Sequence, residues 1–114
     1  MEIGDVYSVE IPPSDGHEQA GSRPAVIVQD IEFSKRLSTV LIVPLTSNQA
    51  AQAFPGTFVV QPDVENGLRL PSVVLVFQLR AIDKRRLERR LGRLGDAQIA
   101  ELQGHVRALM RLSG

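Results

Sequence analysis

From Val6 to Ile11 polar and apolar residues alternate, with Tyr7, Val9 and Ile11 on one side and Ser8 and Glu10 on the other. A period of two marks a strand with one face buried. Pro12-Pro13 stops it, because proline brings no N–H to a sheet ladder. Ser14 to Ser22 is polar, carries Gly16 and Gly21, and reads as a loop. Two runs rich in apolar residues follow, Pro24 to Gln29 and Thr39 to Leu45. Their β-branched residues favour strands buried on both faces over helix. Thr57 to Gln61, entered through Pro55-Gly56, and Ser72 to Leu79, led by Pro71, complete a set of five predicted strands.

The pattern then changes. Asp83 predicts the N-cap of a short basic helix through Arg90, and Asp96 that of a second helix. In the second, Ile99, Leu102, Val106, Leu109 and Met110 fall on one stripe at helical spacing. Gly104 weakens this helix by roughly 1 kcal/mol relative to alanine. Without repeats, low-complexity tracts or a linker, residues 1–114 read as a single domain. Strands followed by helices predict a mainly β fold, a small, strongly bent antiparallel sheet or barrel capped by a C-terminal helix. The stripe and so small a sheet offer more apolar surface than one barrel covers, which predicts a homodimer.

Composition narrows the chemistry. The 114 residues are 43% hydrophobic and 23% charged, which argues against disorder. A chain of this length buries roughly 65% of its unfolded surface, enough for a core. The absence of cysteine removes disulfides, thiolate metal sites and cysteine catalysis. With 2 histidines, a zinc site would depend on carboxylates. No P-loop, GxGxxG or HExxH motif is present. Nothing resembles a signal peptide, and no apolar run approaches the ~20 residues that span a bilayer, so a soluble cytoplasmic protein is expected. The 13 basic and 13 acidic residues cancel, but residues 1–79 carry −5 and residues 80–114 carry +5. A basic stretch of this kind permits phosphate binding.

Few residues suit catalysis. His17 lies in the glycine-rich loop, and His105 sits between apolar positions of the last helix, where a partly buried structural role fits. Such a pair would suit RNA transesterification as base and acid, but nothing brings the two together. The loop Gly16-His17-Glu18-Gln19-Ala20-Gly21-Ser22 leads into Arg23-Pro24 at the mouth of a buried strand. An arginine there is costly unless paired or functional, and neutralisation by Glu18 competes evenly with a functional role. Thr46-Ser47-Asn48-Gln49 closes the third strand, either as turn residues bonding their own backbone or as phosphate ligands. The Lys84-Arg85-Arg86 run with Arg89, Arg90 and Arg93 is either a solvated face or a funnel for RNA.

In order along the chain stand Gly4-Asp5-Val6, then Gly16-x-Glu18-Gln19-x-Gly21-x-Arg23-Pro24, then Val43-Pro44-Leu45-Thr46-Ser47. Ser72-Val73-Val74-Leu75, Gln78-Leu79-Arg80-Ala81-Ile82-Asp83 and Leu91-Gly92-Arg93-Leu94 follow. Together these segments resemble the MazF/PemK-type toxin endoribonucleases of type II toxin–antitoxin systems, over nearly the whole chain. The resemblance implies an SH3-like barrel with a C-terminal helix, assembled as a homodimer. It implies metal-independent, sequence-specific cleavage of single-stranded RNA to 2′,3′-cyclic phosphate and 5′-hydroxyl ends, with no cofactor. The family's catalytic positions fall on Arg23 and Thr46. Glu18, Gln19, Ser47, Asn48 and Gln78 would contact RNA. The residue before Gln78, commonly acidic in the family, is Phe77 here, either a base-stacking surface or a core residue.

The resemblance also implies a cognate antitoxin whose acidic, flexible tail covers the RNA groove, and no membrane partner. Two other readings use the same fold. Gyrase-poisoning toxins act without catalysis, but through a C-terminal tryptophan, and this chain has no Trp. A decayed toxin would keep only dimerisation and antitoxin binding; the retained Arg23 and Thr46 speak against it.

Overall fold

The computed structural model of the chain describes residues 1–11 and 21–112. Seven antiparallel strands form one sheet: β1 Asp5–Ile11, β2 Gly21–Ile27, β3 Thr39–Thr46, β4 Thr57–Val60, β5 Ser72–Leu75, β6 Arg80–Asp83 and β7 Leu87–Arg93. Two α-helices, α1 Ile31–Arg36 and α2 Asp96–Met110, accompany them. The strand order is β4-β5-β3-β2-β1-β7, with β6 pairing β3 off this path. The predicted mainly β, barrel-like architecture with a C-terminal helix is the one observed. The strands do not close by strand-to-strand bonds; instead the 61–71 loop reaches β7, where the Arg93 N–H donates to the Glu65 carbonyl at 2.8 Å.

The paired runs behave as their pattern requires. Val26 and Val43 pack into one core cluster, which includes Leu45, Leu94, Ile99 and Leu102. Their neighbours Ile27 and Ile42 pack into a second cluster with Val9 and Ile11. Both faces are therefore dry over Ala25–Ile27 of β2 and Ile42–Leu45 of β3, which explains runs without alternation. β3 is long and serves three partners: Thr39–Ile42 pair with β6, Ile42–Pro44 with β2, and Leu45 and Thr46 with β5.

Three sequence expectations are corrected. The predicted strand from Ser72 to Leu79 breaks after Leu75 into a 3-10 turn, Val76–Gln78, and β6 begins beyond it; with β7 this makes seven strands among the described residues where five were predicted. The predicted basic helix from Asp83 to Arg90 is a 3-10 turn, Lys84–Arg86, followed by β7. Glu, Arg and Leu favour helix locally, but β1 would otherwise expose an unpaired edge, and β7 fills it from Val9↔Leu87 to Asp5↔Arg93. Helix α2 is found where its stripe predicts, but Gly95 rather than Asp96 is the N-cap, its N–H bonded by Gln98 Oε1 at 2.9 Å. The sequence pattern did not predict α1, which Asp30 caps by accepting from the Glu32 N–H at 2.9 Å.

The stripe on α2 is used mostly within the chain. Ile99 and Leu102 are buried and Val106 packs against the same cluster, while Leu109 and Met110 remain exposed. His105 is half-buried and stacks on Phe58, with ring centroids 5.1 Å apart and planes 4° from parallel, the expected structural role.

The charge asymmetry is also accounted for. The basic C-terminal third lies beside the acidic first strand: Arg90 meets Asp5 at 3.3 Å and Arg86 meets Glu10 at 2.8 Å. Among the described residues, no helix is long and apolar enough to cross a membrane.

Candidate active site

A cleft of about 520 Å³ opens where four segments meet. β2 contributes Ser22, Arg23 and Pro24; the end of β3 contributes Leu45 and Thr46, with Ser47 and Asn48 just beyond. The 61–71 loop contributes Gly67 to Leu70, and β7 contributes Arg89 and Leu91. Three arginines, Arg23, Arg69 and Arg89, thus line one concavity, with no carboxylate among its described lining residues.

Each wall is held by local chemistry. Arg23 is the third residue of β2, opposite Val9 of β1, and is half-buried. Thr46 ends β3, paired with Val73 of β5, and its Oγ1 accepts the Asn48 N–H at 3.2 Å. Asn48 in turn caps the 3-10 turn Gln49–Ala53, its Oδ1 accepting from the Ala50 N–H at 3.1 Å. The turn-residue reading of this segment is thus correct as structure, and it fixes the Thr46 hydroxyl in the cleft wall. On the opposite rim, Glu88 accepts from Ser8 Oγ at 2.8 Å and from Ser22 Oγ at 3.2 Å, tying β1, β2 and β7 together.

The 61–71 loop was missed by sequence reasoning, and with it Arg69. Buried Asn66 organises it: Oδ1 accepts from the Asp63 and Leu68 N–H groups at 3.1 and 3.0 Å, and Nδ2 donates to the Gln61 carbonyl at 2.9 Å. Asp63 Oδ1 accepts from the Glu65 and Asn66 N–H groups. Gly67, at φ +68°, then brings the loop against β7, so close that a Cβ there would overlap the Leu91 carbonyl oxygen. Gly92 answers it, since a Cβ there would overlap the Glu65 carbonyl oxygen. The available signal was the Asn66-Gly67 turn dipeptide with Asp63 three residues ahead of Asn66.

Of the sequence-predicted site residues, Arg23, Thr46, Ser47 and Asn48 meet in the cleft. Gln78 lies in the turn Val76–Gln78 and is not among the residues lining it. His17, Glu18 and Gln19 lie outside the described residues. From the basic run, Arg89 lines the cleft, whereas Arg85 is engaged with Asp83 at 2.9 Å. The hydrogen bond from the Arg85 side chain holds the Asp83 carboxyl down at about 2. Among the described residues, no group of three or more His, Cys, Asp or Glu stands together to hold a metal ion.

Fold and cleft define a small, mainly β protein with an arginine-lined concavity that suits a phosphate-bearing ligand. A family model described as "PemK-like, MazF-like toxin of type II toxin-antitoxin system" matches residues 2–110, and the chain belongs to that family. It is 34% identical over 106 residues to the protein named Endoribonuclease MazF of Staphylococcus saprophyticus, covering 93% of this chain and 88% of that one. Among solved structures, MazF from Deinococcus radiodurans superposes with a TM-score of 0.82 at 26% identity, over 98% of this chain and 97% of that one. A MazE-MazF structure from Deinococcus radiodurans matches with a TM-score of 0.75 at 27% identity, over 99% and 97%.

Proposed function

We propose that the protein is the toxin of a type II toxin–antitoxin system and an endoribonuclease that cuts single-stranded RNA at preferred sequences. Family membership and the endoribonuclease relative support the class. The observation that carries the chemistry is the cleft itself: three arginines and Thr46 line one concavity, with no lining carboxylate among the described residues.

In the proposed reaction the RNA 2′-oxygen attacks the adjacent phosphorus and loses its proton. The bond to the 5′-oxygen breaks, and that oxygen takes up a proton as it leaves. The products are a 2′,3′-cyclic phosphate and a 5′-hydroxyl. Negative charge builds on the non-bridging oxygens in the transition state. The Arg23 guanidinium offers two parallel N–H donors to them. Thr46 holds a further oxygen and keeps attacking and leaving groups in line. A guanidinium offers donors and no acceptor, so Arg23 acts as electrostatic stabiliser and not as base. Arg69 and Arg89 hold the flanking phosphates. The RNA enters unpaired, because duplex bases cannot be splayed out for reading.

An antitoxin with an acidic tail is the partner that the same cationic cleft would attract, and a relative has been solved as a MazE-MazF complex. The test is incubation with a long unstructured RNA in EDTA, followed by mapping of the new ends. Cleavage with 5′-hydroxyl ends and resistance of duplex RNA are expected. A strict requirement for magnesium or manganese would rule the mechanism out.

A further inference from the structure

Two of the chain's four phenylalanines stand together at the surface, at the far end of the turn that begins at cleft-lining Asn48. Phe54 is 56% exposed and Phe77 37% exposed, and their ring centroids are 5.5 Å apart with planes tilted by 41°. Each ring leaves apolar surface in water that burial would remove.

The backbone beneath them is nonetheless firmly built. Phe54 ends the 3-10 turn Gln49–Ala53, its N–H donating to the Ala51 carbonyl at 3.1 Å and its carbonyl accepting from Thr57 Oγ1 at 2.9 Å. The Val76 and Phe77 N–H groups both donate to the Gly56 carbonyl, at 2.9 and 3.3 Å. The rings are therefore presented from two anchored turns.

Their place relative to the cleft gives them an occupant. The turn that ends at Phe54 starts at Asn48, which lines the cleft. Six residues at a rise of ~2 Å put the pair about 12 Å along from Asn48. Arg23 and Asn48 line the same cleft, so a strand bound at Arg23 and continuing past Asn48 would reach the pair. A second copy of the chain fits less well. Two partly exposed phenylalanines offer roughly 200 Å², against the about 800 Å² per partner of a stable interface. Exposed Gln52 and Pro55 flank them rather than further large apolar groups.

We propose that Phe54 and Phe77 form a stacking step for an unpaired base of the RNA strand held in the cleft, and so set a base preference next to the cut. The proposal rests on the RNA-cleaving reading above. Stacking on an aromatic face tolerates all bases but ranks them by stacking strength.

The test uses a pool of random single-stranded RNA cut by the wild type, Phe54→Ala, Phe77→Ala, Phe77→Leu and Phe77→Trp, with all new ends sequenced. Both alanine variants should flatten the base preference at one and the same position and lower kcat/KM on the preferred sequence tenfold or more. Phe77→Trp should keep the preference. Phe77→Leu keeps apolar bulk and the fold but no π-face, and should lose it. Active enzyme with unchanged base preference in both alanine variants would overturn the stacking step alone. Unchanged preference with a lowered oligomeric state would assign the pair to a second copy and also overturn it. A wild type that cuts no RNA at all overturns the underlying reading and the step with it.

Discussion

Arg23 is the residue on which the proposed chemistry turns, and lysine is the substitution that probes it. Arg23→Lys keeps the charge but loses the planar two-pronged donor. Cleavage should slow by roughly 10²–10³, the usual size for loss of one preorganised oxyanion donor. RNA affinity should fall much less, because Arg69 and Arg89 still meet the backbone and ground-state affinity is summed over phosphate contacts. Rate, affinity and melting temperature measured on one preparation separate this from a structural role, which would lower stability and leave the rate per folded molecule intact.

Asp5 is the residue whose titration reaches the fold. It is 3% exposed, bonded by the Glu2 N–H at 2.9 Å, and paired with the Met1 amino group at 3.4 Å and Arg90 at 3.3 Å. Burial pushes its carboxyl up, but the Glu2 N–H and the Arg90 guanidinium outweigh that and leave it below its ordinary value. As pH falls, the unfolded chain therefore takes up this proton first, near a pKa of about 3.9. The stabilisation is complete above that pH and drains away as pH falls through the lower folded-state value. Asp5→Asn should cost about 1–3 kcal/mol at neutral pH. Its melting temperature should fall less steeply than the wild type's below about pH 4. Parallel acid titrations of the two proteins check this; equal slopes would remove Asp5 from the acid limb.

At the scale of elements, what the sequence reveals depends on whether the cause is local. β2 and β3 were legible because Ala25–Ile27 and Ile42–Leu45 are buried on both faces, so hydrophobic runs mark them directly. Helix α2 was legible because its inner stripe is spaced at the helical period. β7 was not: Leu87 to Arg93 is made of good helix formers, and its strand conformation comes from the open edge of β1, some eighty residues away. The same distance hid the cleft. Arg23 and Thr46 carry recognisable neighbours, whereas Arg69 joins them only because Gly67 and Gly92 let the 61–71 loop and β7 touch. Gly92→Ala tests that contact. The added methyl would meet backbone at Glu65 and Asn66, which cannot swing aside as a flexible side chain can. A loss of about 1–3 kcal/mol is expected from the overpacking. RNA affinity should also drop as Arg69 is displaced, and an affinity equal to wild type would uncouple the glycine contact from the cleft.

For the molecule as a whole, the assembly state is the open proposal. The argument from the α2 stripe is weakened by the burial of Ile99 and Leu102 inside the chain. Phe33, Leu37 and Leu41 around α1 and the start of β3, and Leu109, Met110 and Leu112 at the end of α2, remain exposed. These two surfaces are the places where a second copy would be covered. We expect a homodimer by light scattering at micromolar concentration, and a monomer there would remove dimerisation from the reading. Changing Leu41→Lys and Met110→Lys separately should identify the face, since the one inside the interface shifts the dimer toward monomer.

The pairing of β1 with β7 also governs when the protein becomes harmful. The first strand cannot complete its ladder until the last strand exists, and β7 carries Arg89, one wall of the cleft. At 5–20 residues per second, roughly 4–18 s of synthesis separate Asp5 from Arg93. From Thr46 onward in that interval the growing polypeptide has Arg23 and Thr46 but lacks the Arg89 wall of the cleft. A ribosome making this protein therefore works beside an unfinished cleft until the seventh strand has emerged and docked.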